Sequence, residues 1–269
     1  MTTPATDPVV PAVPAYPPGR NLLAGKTVLV TAAAGTGIGF STAKRCIEEG
    51  ARVFLSDIHE RRLAEAVARL PAGPGGAPSP SRVCDVTKES DVQALVASAI
   101  TSLGHLDVLV NNAGLGGSAA VVDMTDEAWH KVLDVSLTSV FCMKRAVLPH
   151  MYRRRAGAIV NNASVLGWRA QPLQAHYAAA KAGVMAFTRC SAMEAAEHGV
   201  RINAVAPSIA MHPFLNRVTS DELLAELRRR EAFGRTAETW EVANAIVFLA
   251  SDLASYMTGE VLSVSSQHP

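Results

Sequence analysis

Residues 26–50 read KTVLVTAAAGTGIGFSTAKRCIEEG. The opening KTVLVT is short, apolar and β-branched, which predicts a buried strand. Glycines follow it, and FSTAKRCIEE is typical of a helix that ends at Gly50. In that setting glycines let the backbone approach a pyrophosphate, and the helix N-terminus adds N–H donors and a positive dipole end. The stretch therefore predicts a dinucleotide-phosphate site rather than an ordinary tight turn. Its expected contact residues are Gly35, Thr36, Gly37, Ile38 and Gly39.

The next strand, ARVFLSD, ends at Asp57. A carboxylate about twenty residues past the glycines can accept a hydrogen bond from a ribose 2′-hydroxyl and repels a 2′-phosphate. The loop position before Gly37 is Thr36 rather than a basic residue. Both features favour NAD over NADP as the cofactor. Arg61 and Arg62 lie nearby on an amphipathic helix, and we interpret them as solvated.

Further strand-like runs alternate with helical ones along the rest of the chain. The runs are SRVCDV, LDVLVNNAG, GAIVNNAS, VRINAVAPS and GEVLSVS. This alternation predicts an α/β domain with a doubly wound parallel sheet. Residues 1–20 are rich in proline and predict a flexible tail, so the expected domain covers residues 21–269.

A second informative stretch is SVLGWRAQPLQAHYAAAK, residues 164–181. Tyr177 and Lys181 are four apart in an alanine-rich run, which places phenol and ammonium on one face of a helix. A neighbouring cation stabilises a phenolate and lowers the tyrosine pKa, so Tyr177 could exchange a proton with an alcohol oxygen. Ser164 ends the preceding strand-like run and could hold the same oxygen.

Composition narrows the function classes. The chain has 269 residues, of which 49% are hydrophobic, and this favours one large domain. Its net charge of +1 gives no basic field that would attract nucleic acid. The four cysteines have no CxxC spacing, so we expect buried, reduced thiols and no metal site. The N-terminus lacks the pattern of a secretory signal, and no segment is apolar enough to span a bilayer. We therefore expect a cytoplasmic protein.

Taken in order, the glycine loop, Asp57, Asp85, NNAG, Ser164, YxxxK and NAVAP resemble the classical short-chain dehydrogenase/reductase family from about residue 24 onward. The resemblance implies a single-domain Rossmann fold with a seven-stranded sheet, a homotetramer (or homodimer) built on long helices, and hydride transfer between a nicotinamide and an alcohol or ketone. It implies that Tyr177 is the acid/base, that Lys181 lowers its pKa and binds ribose, and that Ser164 positions the substrate oxygen. The cofactor residues it adds are Ile58, Asp85, Val86, Asn112, Ala113, Gly114, Pro207 and Ile209.

Four positions depart from the family pattern. Ala32 replaces the first glycine of the loop, and one residue is added before Gly37, so Gly35 is expected to take over the turn. Ser136 stands where the family has an asparagine that supports a water relay to the lysine. Ser208 replaces a glycine, and His212 stands where a threonine is expected.

The substrate pocket is expected between residues 115–124, 165–176 and 211–215, where Trp168, Leu173, Phe214 and Leu215 favour a bulky apolar substrate. His212 could contact the cofactor or the substrate, or be an ordinary loop histidine. AAAGTGIG, PSIAMHPFL and the SVSSQ ending resemble a branch that acts on hydroxy- or keto-hydroindane acyl-CoA thioesters in steroid-ring degradation. Two alternatives remain open. One is an NADPH-dependent 3-oxoacyl thioester reductase, and the other is a non-catalytic binding or assembly subunit.

Overall fold

The structure, a computed structural model, describes residues 11–212 and 221–267. Its strands are β1 (Thr27–Val30), β2 (Arg52–Asp57), β3 (Ser81–Val83), β4 (Val108–Asn111), β5 (Gly157–Asn162), β6 (Val200–Pro207), β7 (Ala210–Met211), β8 (Ala237–Glu238) and β9 (Val261–Val264). Its helices are α1 (Ile38–Glu48), α2 (Glu60–Arg69), α3 (Glu89–Leu103), α4 (Asp126–Leu133), α5 (Ser139–Arg154), α6 (Ala175–Ala196), α7 (Asp221–Arg229) and α8 (Thr239–Ala250).

Seven strands form one parallel sheet in the order β3-β2-β1-β4-β5-β6-β9. The strand order reverses between β1 and β4, and in open α/β sheets ligands bind at such a switch point, beyond the carboxyl ends of the strands. The predicted doubly wound, seven-stranded Rossmann architecture is confirmed.

Both faces of the sheet are covered by helices. Val28 and Val30 belong to an apolar cluster that includes residues of α1, α2 and α8, whereas Leu29 belongs to a cluster with residues of α3, α5 and α6. Neighbouring side chains of a strand point to opposite faces, so β1 is buried along its whole length. This burial explains why the strand reads as a continuous apolar run.

The segment between β4 and β5 that spans residues 126–154 is helical but is not one regular helix. Thr125 caps α4 by accepting a hydrogen bond from the Ala128 amide at 3.1 Å. The helix then widens into a π-helical turn, Asp134–Thr138, before α5 begins. This turn carries Ser136. The short parallel pair β7 and β8 was not predicted, because two-residue strands leave no periodic signal.

The part of the N-terminal segment that the structure describes contacts the domain. The Tyr16 hydroxyl donates to Glu48, and its ring lies edge-on to Trp240 with centroids 5.5 Å apart. The Arg45 guanidinium donates to the Pro18 carbonyl oxygen at 3.2 Å. Residues 1–10 lie outside the described residues, and a domain boundary at residue 20 stays a prediction.

The cysteine prediction needs one correction. Cys46, Cys84 and Cys142 are buried, but Cys190 is exposed, because it lies on the outer side of α6. All four thiols are free. Within residues 11–212 and 221–267 no helix combines the length and apolar character that crossing a bilayer requires.

Candidate active site

The loop between β1 and α1 takes its shape from two residues with left-handed backbone. Gly35 has φ +86° and Ala32 has φ +49°. Gly35 therefore makes the turn expected of it, but Ala32 keeps the left-handed conformation without the freedom that glycine has there. A Cβ at Gly39 would lie 2.3 Å from the Ala32 carbonyl oxygen, so only glycine fits where α1 packs under the loop.

A cleft of about 560 Å³, called here the cofactor cleft, opens beside this loop. Its lining comes from the carboxyl ends of β1 to β4 and from the helices that follow: Ala32, Ala34, Asp57, Ile58, His59, Arg62, Cys84, Asp85, Val86, Ala113, Gly114, Leu115, Lys131 and Val135. A Cβ at Gly35 or Gly37 would meet nothing within 4 Å, so the backbone there is open to a phosphate. These residues fit a dinucleotide, with the phosphates at the N-terminus of α1.

Asp57 is held in place at the end of β2. Its Oδ2 accepts from the Ala34 amide at 3.1 Å and its Oδ1 from the His59 amide at 3.0 Å. Burial raises the pKa of this carboxyl, opposed by the backbone amides of Ala34 and Ile58 and by the positive charge of Arg62. A carboxylate has about four acceptor sites, so capacity remains for a ribose hydroxyl. Arg62, interpreted from sequence as solvated, lines the same cleft.

The residues predicted to contact adenine all line the cofactor cleft. Ile58 and Val86 line it, and Ile58 is exposed. Asp85 accepts from the Thr87 amide at 3.1 Å and the Thr87 hydroxyl at 2.7 Å. Partial burial raises the pKa of Asp85, but these hydrogen bonds and the charge of Lys88 outweigh it and lower the pKa overall.

Ser164 and Tyr177 come together at the carboxyl end of β5. Ser164 caps the turn Val165–Gly167 by accepting from the Leu166 amide at 3.2 Å. Burial raises the pKa of the Tyr177 phenol, and a side-chain hydrogen bond with Ser164 lowers it by less. The sequence led us to expect a lowered pKa from Lys181. That expectation is wrong for this structure, because desolvation of the phenol dominates.

Lys181 lies one helical turn beyond Tyr177, and its ammonium is 5.5 Å from the centre of the phenol ring. The ammonium is buried and donates to the Asn162 carbonyl oxygen at 2.7 Å. Burial lowers the pKa of Lys181 to about 8. A Cβ at Gly114 would lie 3.2 Å from the same nitrogen, so this glycine leaves the lysine open to the cofactor cleft.

Asn162 is a site residue that the sequence analysis missed. Its side-chain amide donates to Asn112 Oδ1 at 3.0 Å, and Asn112 in turn donates to the carbonyl oxygens of Thr31 and Ala32 at 3.1 and 3.0 Å. A signal was present. VNNA occurs twice, in β4 and β5, and the register pairs Asn111 with Asn161. The second asparagines, Asn112 and Asn162, therefore meet at the carboxyl ends of the two strands.

Ser136 is fully buried and bonded on both sides to Leu115. Its hydroxyl donates to the Leu115 carbonyl oxygen at 3.0 Å and accepts from the Leu115 amide at 2.9 Å. The single hydroxyl proton is therefore engaged by the loop after β4. Ser136 fixes that loop beside Gly114 and can accept, but not donate, one further hydrogen bond.

A second cleft, of about 520 Å³ and called here the substrate cleft, begins at Ser164. Its described lining residues are Ser164, Val165, Leu166, Arg169, Ala170, Gln171, Ser208, Ile209, Leu227, Arg229, Arg230 and Gln267. Ile209 thus lies in this cleft, while Pro207 is buried at the end of β6.

Neither Trp168 nor His212, two of the predicted substrate residues, lines the substrate cleft. Trp168 is half exposed and is not part of the lining, because it lies just past the turn that Ser164 caps. His212 also lies outside the lining, and burial lowers its pKa. Phe214 and Leu215 lie outside the described residues. The sequence analysis did not assign Arg229, Arg230 and Gln267 to the site; the basic run LRRR at the end of a helix was the available signal.

Comparison with known proteins agrees with this geometry. A family model described as enoyl-(acyl carrier protein) reductase matches residues 32–266. The chain is 64% identical to a (5R,7aS)-5-hydroxy-7a-methyl-1-oxo-2,3,5,6,7,7a-hexahydro-1H-indene-carboxyl-CoA reductase of Mycobacterium tuberculosis, over 93% of this chain and 96% of that protein. It is 38% identical to a 3-oxoacyl-[acyl-carrier-protein] reductase of Thermotoga maritima, over 90% of this chain and 97% of that protein.

Solved structures give the same result. A short-chain dehydrogenase from Mycobacterium smegmatis superposes with a TM-score of 0.85 at 57% identity, covering 96% of this chain and 99% of that one. The sheet order, the Ser164, Tyr177 and Lys181 arrangement and these relatives lead to one conclusion. The protein is an oxidoreductase of the short-chain dehydrogenase/reductase family, whose members use NAD(P) as cofactor.

Proposed function

We propose that the protein interconverts a secondary alcohol and a ketone on a bulky apolar acyl-CoA thioester, with a hydroindane ring system as the reacting part. The observation that carries this proposal is the 64% identity to the M. tuberculosis hydroindane carboxyl-CoA reductase over nearly the whole of both chains. The position of the catalytic groups supports it. Ser164 lines the substrate cleft, and Lys181 borders the cofactor cleft at Gly114.

In this proposal Tyr177 is the acid/base of the reaction. The ketone oxygen binds between the Ser164 and Tyr177 hydroxyls, and the phenol gives up its proton as the alcohol forms. The chemistry that a nicotinamide cofactor would supply when bound here is hydride transfer, to the ketone or, in the reverse direction, from the alcohol. Burial raises the pKa of Tyr177, so the phenol keeps its proton at neutral pH and can donate it when a ketone is reduced. Ser164 stabilises charge on the oxygen from a fixed position.

Lys181 and Ser136 both lie next to Gly114, at the edge of the cofactor cleft. The Lys181 ammonium, fixed on the Asn162 carbonyl oxygen, faces the cofactor cleft and is the group that would hold a ribose hydroxyl. Ser136 acts as a positioning residue, because its hydroxyl holds the backbone of Leu115 next to Gly114. Asn112, Ala113 and Gly114 would then form the wall against which the nicotinamide rests.

We infer that NAD(H) is preferred over NADP(H). The Asp57 carboxylate lines the cofactor cleft at the end of β2, where a 2′-phosphate would approach it. Arg62 lines the same cleft and is the group that would serve a 2′-phosphate. It stands beside the carboxylate rather than replacing it, so repulsion by Asp57 decides the preference.

We further propose a cytoplasmic homotetramer built on the long helices. Phe141 on α5 and Met193 on α6 support this assembly, because both are large, apolar and exposed in the single chain. Contact with a second copy would cover them.

The second candidate is an NADPH-dependent 3-oxoacyl thioester reductase. Arg62 in the cofactor cleft and the 38% identity to the T. maritima reductase favour it. The two functions differ in both substrate and cofactor, so one set of assays separates them.

The deciding experiment is a steady-state assay of a keto-hydroindane carboxyl-CoA thioester and of acetoacetyl-CoA, each with NADH and with NADPH. We expect the highest kcat/KM for the hydroindane thioester with NADH. The Tyr177→Phe variant is expected to lose about 10²- to 10⁴-fold in kcat while its NADH affinity is retained. Preference for acetoacetyl-CoA with NADPH would establish the second candidate, and full turnover by the variant would remove Tyr177 from its role.

A further inference from the structure

We propose that three arginines at the substrate cleft, Arg169, Arg229 and Arg230, bind the phosphate-bearing part of the thioester's carrier. We call them the rim arginines. The inference rests on the proposed function, because it assigns a binding site for the non-reacting end of that substrate.

The charge of the cleft is the first argument. Its described lining residues include the three rim arginines and no acidic residue. Arg229 and Arg230 share one nearby carboxylate, Glu226, at 2.6 and 3.3 Å. The three cations outnumber Glu226 and the buried Glu231, which is linked to Arg169 through Gln267. These groups leave a net positive charge at the cleft, which a neutral, apolar ring does not need. An anionic group on the substrate would be attracted by that charge.

The second argument is that Arg169 is held in a fixed orientation. Its Nη1 donates to Gln267 Oε1 at 2.5 Å and its Nη2 to the Gln267 carbonyl oxygen at 3.4 Å. The Gln267 amide donates to the buried Glu231 carboxylate at 2.9 Å, and the same carboxylate accepts from the Ser266 amide and hydroxyl at 3.2 and 2.8 Å. A guanidinium has five N–H donors, so Arg169 keeps donors for a ligand.

The order of groups along the cleft is the third argument. Ser164, which would hold the reacting oxygen, is buried, whereas the side chains of Arg229 and Arg230 are 71% and 44% exposed. A thioester has no free carboxylate, and its phosphates lie at the far end of the pantetheine arm from the ring. The ring would bind at Ser164 and the phosphates would reach the outer arginines. Planar guanidinium groups suit phosphate oxygens, which they can bind with two parallel hydrogen bonds.

A phosphate on a pantetheine arm occurs both in coenzyme A and in acyl carrier protein, and the test separates these sources. Kinetics of the wild type and of Arg229→Gln/Arg230→Gln are compared on the same keto-hydroindane acyl group as a CoA, an acyl-carrier-protein and an N-acetylcysteamine thioester. The last has no phosphate. The matched control is Arg153→Gln/Arg189→Gln, which removes two exposed arginines that line neither cleft.

We expect KM for the CoA thioester to rise about threefold to twentyfold in the double variant, as for the loss of two exposed charge contacts. The kcat value should be unchanged, because the contact is equally strong in ground and transition states. KM for the N-acetylcysteamine thioester, and all constants of the control variant, should not change. A loss confined to the acyl-carrier-protein thioester would support the phosphate contact and assign it to that carrier. Equal effects on all thioesters, or none, would overturn the inference.

A readout that needs no turnover keeps this test separate from the proposed function. Titration calorimetry of free coenzyme A should show weaker binding to Arg229→Gln/Arg230→Gln than to the wild type, and the difference should shrink as salt is raised. If the hydroindane thioester is not turned over but this difference is present, the proposed function fails and the inference stands. If turnover is normal and coenzyme A binds both proteins equally, the inference fails alone.

Discussion

The side-chain amide of Asn162 donates a hydrogen bond to Asn112 Oδ1 at 3.0 Å, which joins the carboxyl ends of β5 and β4. On one side the Asn162 carbonyl oxygen accepts from the Lys181 ammonium. On the other side Asn112 donates to the carbonyl oxygens of Thr31 and Ala32 in the glycine loop. Lys181 and the glycine loop are thus connected through one pair of asparagines.

This pair predicts energetic coupling in cofactor binding. Asn162→Ala is expected to weaken NADH binding by about two- to tenfold, the cost of one hydrogen bond that positions Asn112. The double variant Asn112→Ala/Asn162→Ala should bind NADH only slightly more weakly than Asn112→Ala alone. The reason is that Asn112→Ala already breaks the hydrogen bond that Asn162→Ala removes. NADH fluorescence titration of the wild type, the two single variants and the double variant gives the dissociation constants of this double-mutant cycle. Strictly additive losses would mean that the two asparagines act independently.

The sheet could be predicted from the sequence because β1, β4 and β5 are short, largely apolar runs. Such runs are typical of parallel strands that are buried on both faces. The sequence also indicated that Tyr177 and Lys181 lie one turn apart on the same helix, since that spacing is local. It did not reveal that the Tyr177 pKa is raised, because desolvation depends on side chains far away in sequence. The sequence analysis also did not predict the hydrogen bond between Arg169 and Gln267, which are 98 residues apart in the chain. Such contacts depend on the register of β9 beside β6 and carry no local pattern.

The cofactor preference is testable at Asp57. Asp57→Asn should raise the NADPH-over-NADH preference, measured as the ratio of kcat/KM values, by about tenfold, which corresponds to roughly 1.4 kcal/mol. The amide removes the repulsion of a 2′-phosphate, while Arg62 remains in the cleft. The matched control is Asp85→Asn, which neutralises another carboxylate of the same cleft at the end of β3. An equal shift in the control, or none at Asp57, would remove Asp57 as the selecting residue.

The raised Tyr177 pKa predicts opposite pH profiles for the two directions. Reduction needs the protonated phenol, so its kcat/KM should be level through neutral pH and fall in the alkaline range. Oxidation needs the phenolate and should rise over the same range. Lys181, whose pKa is about 8, loses its charge as the pH passes that value. Stopped-flow rates in both directions give the profiles. A reduction rate that climbs with pH would contradict the assignment of Tyr177 as the acid.

Ala32 offers a test of backbone strain in the glycine loop. A non-glycine residue at φ +49° carries a cost that glycine avoids, although glycine gives up more chain entropy on folding. Ala32→Gly should therefore raise the free energy of unfolding by about 0.5–1 kcal/mol, measured by urea denaturation. Ala34→Gly is the control, because Ala34 is in the same loop but has no positive φ. That change should destabilise the protein, and the same sign in both variants would refute the strain argument.

Lys144 predicts how stability depends on pH. This lysine of α5 is 1% exposed, donates to the Ser191 hydroxyl at 2.9 Å and lies 3.9 Å from the centre of the Phe187 ring. Burial lowers its pKa to about 7. The unfolded chain keeps the proton up to the ordinary lysine pKa, so it binds more protons than the folded state above pH 7. The cost of burying Lys144 is therefore complete below pH 7 and fades as the pH rises.

Lys144→Met keeps the size and apolar stem of the side chain and removes that cost. We expect the variant to be more stable than the wild type, and its advantage in unfolding free energy to be about 1–3 kcal/mol larger at pH 6 than at pH 9. Urea denaturation at both pH values and one protein concentration measures it. Lys88→Met, at an exposed lysine, controls for the loss of a surface charge and should show no such pH dependence. An advantage that is equal at both pH values, or larger at pH 9, would mean that Lys144 keeps its charge throughout this range, held by the Ser191 hydroxyl and the face of the Phe187 ring.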